Sequence, residues 1–392
     1  MKLNTTRSAL DRPLRLAIVT NIPAPYRVPV YNRIAAEPGI YLLALYAART
    51  EPDRQWDLQP FEHPHAFLKP SMVERAGRYI HSNADVWPAL AAFKPDVVLT
   101  TGFNPTHLYA WAYTLLHRCH HVAMTDGTLD SEASLGRLHR LVRRLVFATS
   151  ASFVAASQGG GRLFQSYGVP ASRIHYSPLC ANTAVDWSQA TGSERDIDLL
   201  FSARLVPPKN AGFALALAHN VAVRLGRSIR LALLGSGPLE AKLREQARAL
   251  GGAVDVIFAG QVAQADLPHW FQRARLFVFP SSRVVWGVVA NEACLAGVPV
   301  LVSPHAGVAG ELVQDGLNGR VLALEPQLWA DAAVQLLTDP ALHARMARAA
   351  QATVQDYSFE NAALGIIDAA RQAQAPQAAP PARLSPFQPA VR

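Results

Sequence analysis

Residues 279–300, FPSSRVVWGVVANEACLAGVPV, constrain the chain more than any other stretch. An apolar run ends at Phe279, and a turn follows through Pro280 and Ser281. Gly287 then opens a segment with apolar residues at helical spacing, which Gly297 and Pro299 break before another apolar run. The predicted order is strand, loop, helix, strand. A loop at the carboxyl end of a parallel strand, feeding a helix N-terminus, is where α/β proteins hold anions. Glu292 sits inside this otherwise apolar helix. A buried carboxylate needs a partner, which is either a ligand or a neighbouring loop.

The same alternation runs through the rest of the chain. In the first half, short apolar runs at 14–20, 40–47, 95–100, 121–125, 152–156 and 173–177 suit strands buried in a parallel sheet. Helical spacing falls between them at 28–36, 85–93, 106–117 and 135–147. Residues 50–83, with Trp56, Phe61, His63, His65 and several prolines, show no period and are expected to form a long binding loop. In the second half, strands are expected at 197–203, 230–234, 254–259 and 276–279, alternating with helices at 211–225, 267–274, 327–337 and 341–354.

The expected organisation is a flexible lead-in at 1–14, a first α/β domain at 15–185, a linker at 186–197 and a second α/β domain at 198–355. A last helix at 356–371 and a disordered Pro/Ala/Gln-rich tail at 372–392 complete it.

Half of the 392 residues are hydrophobic and 17% are charged, so substantial cores are expected. No window of about twenty apolar residues is uninterrupted, so no membrane-spanning helix is expected. The first residues, MKLNTTRSALDRPLR, carry charge but no apolar signal core, which points to a cytoplasmic protein. The sequon Asn4-Thr5-Thr6 is then a chance match. Cys119, Cys180 and Cys294 lie far apart, match no metal spacing and read as reduced thiols. His63 and His65 have no third ligand nearby, so no metal site is expected.

Lys and Arg exceed Asp and Glu by 37 − 29 = 8, which favours anionic partners. No helix-turn-helix, finger or aromatic-plus-basic platform is present, so nucleic acid is not an expected partner. In the helix at 135–147, Leu138, Leu141, Val142 and Leu145 share a face, and Arg137, Arg140, Arg143 and Arg144 lie mainly off it. Such a basic amphipathic helix either lies on an anionic membrane surface or turns its apolar face to the core.

FPS, WG, NEA and AGVPV, in that order within 279–300, resemble the signature of family-4 glycosyltransferases, which have the GT-B fold. The resemblance implies two Rossmann-like, doubly wound domains facing a cleft, with a C-terminal helix crossing back to the first. It is closest over 198–320, looser over the first strand–loop–helix and weakest over 50–180. It implies a retaining, metal-independent transfer of a sugar from a nucleoside diphosphate sugar to a saccharide or lipid-linked acceptor, in bacterial surface polysaccharide synthesis. The donor is a substrate, and no cofactor is expected. Contact with the inner face of the membrane would suit a lipid-linked acceptor.

By that resemblance, Glu292 holds the nucleotide ribose, and the amides around Gly287 and Val288 hold the diphosphate and sugar. Arg204 and Lys209, in RLVPPK after the strand at 197–203, match the two cations that bind the donor diphosphate. The chemistry needs them, because anomeric bond cleavage leaves negative charge on the departing diphosphate. The alternative is a pair of solvated surface cations. Gly235, in Gly-Ser-Gly-Pro-Leu, lets the nucleotide approach the backbone, and Val262 lies beside the base. Residue 284, where the family keeps the first carboxylate of a Glu-x7-Glu motif that touches donor sugar hydroxyls, is Val.

In the first domain, Tyr26 and Arg27 fall in the loop that borders the acceptor cleft in the family. They are candidate acceptor or phosphate contacts; otherwise Tyr26 packs on the loop prolines and Arg27 is solvated. Asp126 ends a strand and could orient an acceptor hydroxyl, or it forms an Asx-turn or helix cap. Ser157-Gln158-Gly159-Gly160-Gly161 is glycine-rich like a phosphate loop but lacks the following Lys-Ser/Thr.

Two other classes compete. A GT-B epimerase, or a sugar-nucleotide-binding protein with lost chemistry, is suggested by Val284. A Rossmann oxidoreductase would need Gly-x-Gly-x-x-Gly after the first strand, and NIPAPYR has no glycine.

Overall fold

A computed structural model describes residues 12–52, 58, 60–75, 78–133, 135–181, 186–187 and 195–375. Residues 1–11 of the expected 1–14 lead-in with its sequon, Trp56, much of the linker and residues 376–392 of the expected 372–392 tail lie outside the described residues, while residues 372–374, expected in that tail, continue the last helix.

The first domain opens with β1 (Leu14–Thr20), α1 (Val28–Ala36), β2 (Ile40–Tyr46), β3 (His65–Phe67), β4 (Met72–Arg75) and β5 (Arg78–His81). There follow α2 (Val86–Phe93), β6 (Val97–Thr100), α3 (Pro105–Leu116), β7 (His120–Thr125), α4 (Leu129–Glu132) and α5 (Arg137–Thr149). It ends with β8 (Ser152–Ala155), α6 (Gln158–Ser166) and β9 (Ile174–Tyr176). Seven of these strands form one parallel sheet in the order β3-β2-β1-β6-β7-β8-β9. Residues 50–83 are therefore not one long loop. β3 joins the sheet edge, pairing with residues 44–46, and β4 and β5 form a separate antiparallel hairpin.

The second domain contains β10 (Ile197–Ser202), α7 (Ala211–Leu225), β11 (Ile229–Leu234), α8 (Glu240–Ala249), β12 (Val254–Gly260) and α9 (Leu267–Arg273). It continues through β13 (Ala274–Phe279), α10 (Val288–Leu295), β14 (Val300–Val302), β15 (Gly319–Val321), α11 (Pro326–Thr338) and α12 (Pro340–Thr353). Its six strands are parallel in the order β12-β11-β10-β13-β14-β15. Strands such as β10, buried along its whole length, carry apolar side chains on both faces because helices cover both. Trp329 of α11 is fully buried against Phe213 of α7 on one side of this sheet.

α13 (Phe359–Gln374) returns to the first domain. Phe359, Ala362, Ile366, Ile367 and Ala369 join the core of Leu16, Ile18, Val30 and Val122. Burying Phe359, Ile366 and Ile367 contributes about 1.5–3 kcal/mol each. Gly365 lets this helix reach the chain leaving β9, since a Cβ there would lie 1.8 Å from the Tyr176 carbonyl oxygen. The chain is thus two Rossmann-like domains joined twice, once through the segment after β9 and once through α13.

Candidate active site

The strand order of the second sheet reverses between β10 and β13, the place where a crevice opens at the carboxyl ends of such sheets. Arg204 and Lys209 follow β10, and Gly287 and Val288 follow β13. The two loops are tied, with Ser282 N donating to Pro208 O at 2.9 Å. The loop after β11 joins them, as Leu205 N donates to Ser236 O at 2.9 Å and Leu239 N to Leu205 O at 3.1 Å. Gly235 makes this approach possible: its φ is 118°, and a Cβ there would stand 2.1 Å from Ala203 O.

Arg204 is exposed and Lys209 half-buried at the end of a single 3-10 turn. Burial, and then the Arg204 charge, hold the Lys209 ammonium below its ordinary range. An anion between the two would relieve both effects. Gly287 is the N-cap residue of α10 with φ 113°, and a Cβ there would meet the Phe279 ring at 2.4 Å. Only a residue without a side chain fits this entry into α10, whose opening amides are among those a helix cannot bond within itself.

Glu292 is buried in α10. Its Oε1 accepts from Gln264 Nε2 at 3.1 Å, and its Oε2 has no partner. Burial lifts its pKa to about 7, with the Gln264 hydrogen bond opposing. The neighbouring-loop partner, one of the two alternatives read from sequence, thus exists, but it satisfies one oxygen only. Val262, two residues before Gln264, packs on the core of the second domain. Val284 does the same, while its backbone donates to His305 O at 3.2 Å and accepts from Gly307 N at 3.1 Å.

Sequence reasoning assigned no role to Gln264, Trp286 or Asn291. Gln264 carries no local signal. Trp286 Nε1 donates to Asn291 Oδ1 at 3.0 Å, and Asn291 Nδ2 donates to Leu179 O at 3.0 Å. The WG and NEA elements therefore pin α10 to the segment leaving the first domain, and their fixed spacing was the visible trace of this.

In the first domain, Asp126 directly follows β7, and its Oδ1 accepts from Arg27 Nη2 at 2.8 Å. The Arg27 side chain is 8% exposed and that of Asp126 42%. Arg27 Nη1 donates to Ser177 Oγ at 2.9 Å. Arg27 is thus not solvated, which corrects that alternative: it donates to Asp126 and to the chain after β9. Burial works against its charge, but Asp126, Tyr31 and Tyr26 together outweigh this and the pKa is raised. Asp126 is not a cap either. Gly127 N donates to Thr125 Oγ1 at 3.0 Å, and Thr128 caps α4. Tyr26 packs partly against the core of the second domain. Tyr26, Arg27 and Asp126 line one cavity of about 210 Å³. Asp126 also borders a larger one of about 1040 Å³, walled by Phe103, Leu108, Leu135, Leu138 and Val142.

The structure also places two further stretches singled out in the sequence. The glycine-rich 157–161 run begins α6, and Glu311 of the second domain occupies its start, accepting from Gln158 N at 3.0 Å. On α5, Leu138, Leu141 and Leu145 are 71%, 52% and 52% exposed, while Val142 packs against the core. Arg143 is buried with Val146 and Phe147, paired with Glu132 at 2.6 Å and lying over the Phe103 ring.

Residues 23–180 match the family described as Glycosyl transferase 4-like domain, and residues 186–353 match Glycosyl transferases group 1. The D-inositol 3-phosphate glycosyltransferase of Frankia alni is 28% identical over 290 residues, covering 68% of this chain and 70% of that protein. The crystal structure of Anabaena HepE in complex with UDP superposes with a TM-score of 0.71 at 17% identity, covering 91% of this chain and 99% of that one. WaaG, a glycosyltransferase involved in lipopolysaccharide biosynthesis, superposes with a TM-score of 0.63 at 16% identity, covering 90% and 98%. None of these matches favours the epimerase or lost-chemistry reading. Both halves match glycosyltransferase domains and the two sheets are arranged as in HepE, so the chain is a family-4 type glycosyltransferase of the GT-B fold.

Proposed function

We propose that the chain moves a sugar from a nucleoside diphosphate sugar to a saccharide or lipid-linked acceptor, with retention at the anomeric carbon, without a metal or other cofactor, in surface polysaccharide synthesis. The observation that carries the donor assignment is the unpartnered, buried Oε2 of Glu292, on a helix whose preceding loop is tied through Ser282 and Pro208 to the segment of Arg204 and Lys209. A ribose hydroxyl supplies the donor that this oxygen lacks. Gly235 leaves space for the nucleotide and Val262 offers an apolar surface to the base. The amides at Gly287 and Val288 face the diphosphate. Arg204 and Lys209 hold the charge that develops as the anomeric bond breaks, the task a metal performs elsewhere. Asp126, aimed by Arg27, orients the acceptor hydroxyl, and Tyr26 walls the acceptor side. HepE holds UDP, so UDP-sugars come first in a donor panel; no nucleoside diphosphate release with any donor in that panel would overturn the proposal.

The same panel tests Val284. A valine packed on the core beside the donor loop offers no acceptor for a sugar hydroxyl, and a buried hydroxyl without a partner costs about 1–3 kcal/mol. The expected donor is therefore one with a less polar face, such as a deoxysugar, or an acidic sugar that Arg283 could bind. Val284→Glu is expected to shift preference toward ordinary hexoses. A wild type that prefers an ordinary hexose, with no gain in the variant, would refute this argument.

The lipid-linked acceptor is favoured by α5. Exposed leucines at 138, 141 and 145 form a stripe beside exposed Arg137, Arg140 and Arg144, and Leu138 also lines the cavity next to Asp126. Among the described residues no helix is long and apolar enough to cross a membrane. Contact would be peripheral, at the cytoplasmic face, with leucines in the interface and arginines on anionic headgroups. Binding to anionic vesicles is expected to weaken as salt rises, and in Leu141→Glu. Equal, negligible binding to anionic and neutral vesicles would remove the membrane from the proposal.

A further inference from the structure

Glu311 lies outside the donor loops, yet its carboxylate enters the first domain. Its oxygens accept the Gln158 amide at 3.1 and 3.0 Å, and the Gly159 amide bonds to it as well. Ser157 Oγ accepts from Gly160 N at 3.1 Å. The opening amides of α6, which a helix cannot satisfy itself, are thus shared between a side chain of its own domain and one from the other.

The segment that carries Glu311 is built onto the donor loop. Val284 N donates to His305 O and Gly307 N to Val284 O, at 3.2 and 3.1 Å. A Cβ at Gly307 would stand 1.7 Å from Val285 O, so the two segments touch backbone to backbone. The start of α6 is built in the same way onto the loop after β7. A Cβ at Gly160 would lie 3.3 Å from Gly127 O, and one at Gly159 would lie 3.0 Å from Thr128 Cγ2. Direct contacts therefore run from the donor loop through Glu311 and the start of α6 to Gly127, next to Asp126. Beside the Glu311 contact lies a cavity of about 650 Å³ lined by Arg162, Tyr176 and Tyr357, so the two domains are not packed against each other there.

We propose that Glu311 is a positioning residue for transfer: by capping α6 from the opposite domain it fixes the spacing between the donor loop and Asp126. The rate consequence rests on the glycosyltransfer mechanism above; the structural consequence does not.

The test uses the full chain with Glu311→Ala and Glu311→Gln. Three quantities are measured: UDP and GDP affinity by calorimetry, transfer kinetics, and the distance between spin labels at Leu116 and Val223 in a Cys119→Ser background. Both label positions are exposed, one in each domain. In Glu311→Ala the label distances should lengthen and broaden, and kcat should fall about tenfold with nucleotide affinity unchanged. Glu311→Gln, which keeps an acceptor oxygen, should recover most of both losses and serves alone if the alanine variant does not fold. Unchanged label distances overturn the proposal, and so does a parallel loss of kcat and nucleotide affinity, which would place Glu311 in the donor site. If the wild type transfers no sugar, the label distances alone decide.

Discussion

Lys209→Met is expected to lower kcat by about a hundredfold or more while leaving the melting temperature nearly unchanged, because removing one preorganised charge from a developing anion costs on the order of 3–4 kcal/mol. The two halves of this expectation come from one environment. Lys209 is half-buried beside Arg204, and both facts push its ammonium toward the neutral form. In the free protein the charge is therefore held against its preference. Methionine keeps the aliphatic stem and removes that charge, so the fold has nothing to lose. When the diphosphate departs, the same desolvated ammonium faces negative charge with little water between them, and its effect is largest there. Donor affinity should fall less than turnover, since the charge on the bound sugar nucleotide is smaller than on the leaving diphosphate. Turnover within twofold of wild type would mean that Lys209 does not face the diphosphate.

The donor half of this site was legible in the sequence because its chemistry is carried by loops at the ends of strongly apolar strands. β10 and β13 announce themselves as buried runs, and Arg204, Lys209 and Gly287 follow within a few residues. Contacts across long separations left no such trace. Arg27 and Asp126 are 99 residues apart, and neither segment alone says that a loop arginine is buried. Gln158 and Glu311 are 153 apart and lie in different domains. The edge elements were missed for another reason. β3 is three residues long, and β4 is exposed along its length, so neither shows the alternation of a half-buried strand. α5 was recognised as amphipathic, but periodicity does not say which face turns inward. The structure buries Arg143, neutralised by Glu132, together with Val146 and Phe147, and leaves the leucine stripe outside.

Glu292 gives the second large effect, a nucleotide affinity that depends on pH with a defined sign. In the free protein burial raises its pKa from 4.5 to about 7. Between those two values the folded chain keeps a proton that the unfolded chain has released. This group therefore favours folding most at low pH, and that contribution is lost as pH rises through about 7. Nucleotide binding should work in the opposite direction. Ribose hydroxyls that donate to the unpartnered Oε2 favour the carboxylate, so binding lowers the pKa and expels the proton. Affinity for the nucleoside diphosphate should then be flat well above pH 7 and fall as pH drops below it. Calorimetry at pH 7 in two buffers of different ionisation enthalpy should show release of about half a proton. Glu292→Gln has no proton to release and offers only a neutral acceptor. It should bind about ten- to a hundredfold more weakly, the worth of hydrogen bonds to a charged group, with this pH dependence gone. Equal proton release and equal affinity in wild type and Glu292→Gln would show that the ribose does not reach this carboxylate, and the nucleotide would have to be moved elsewhere along the ends of β10 to β13.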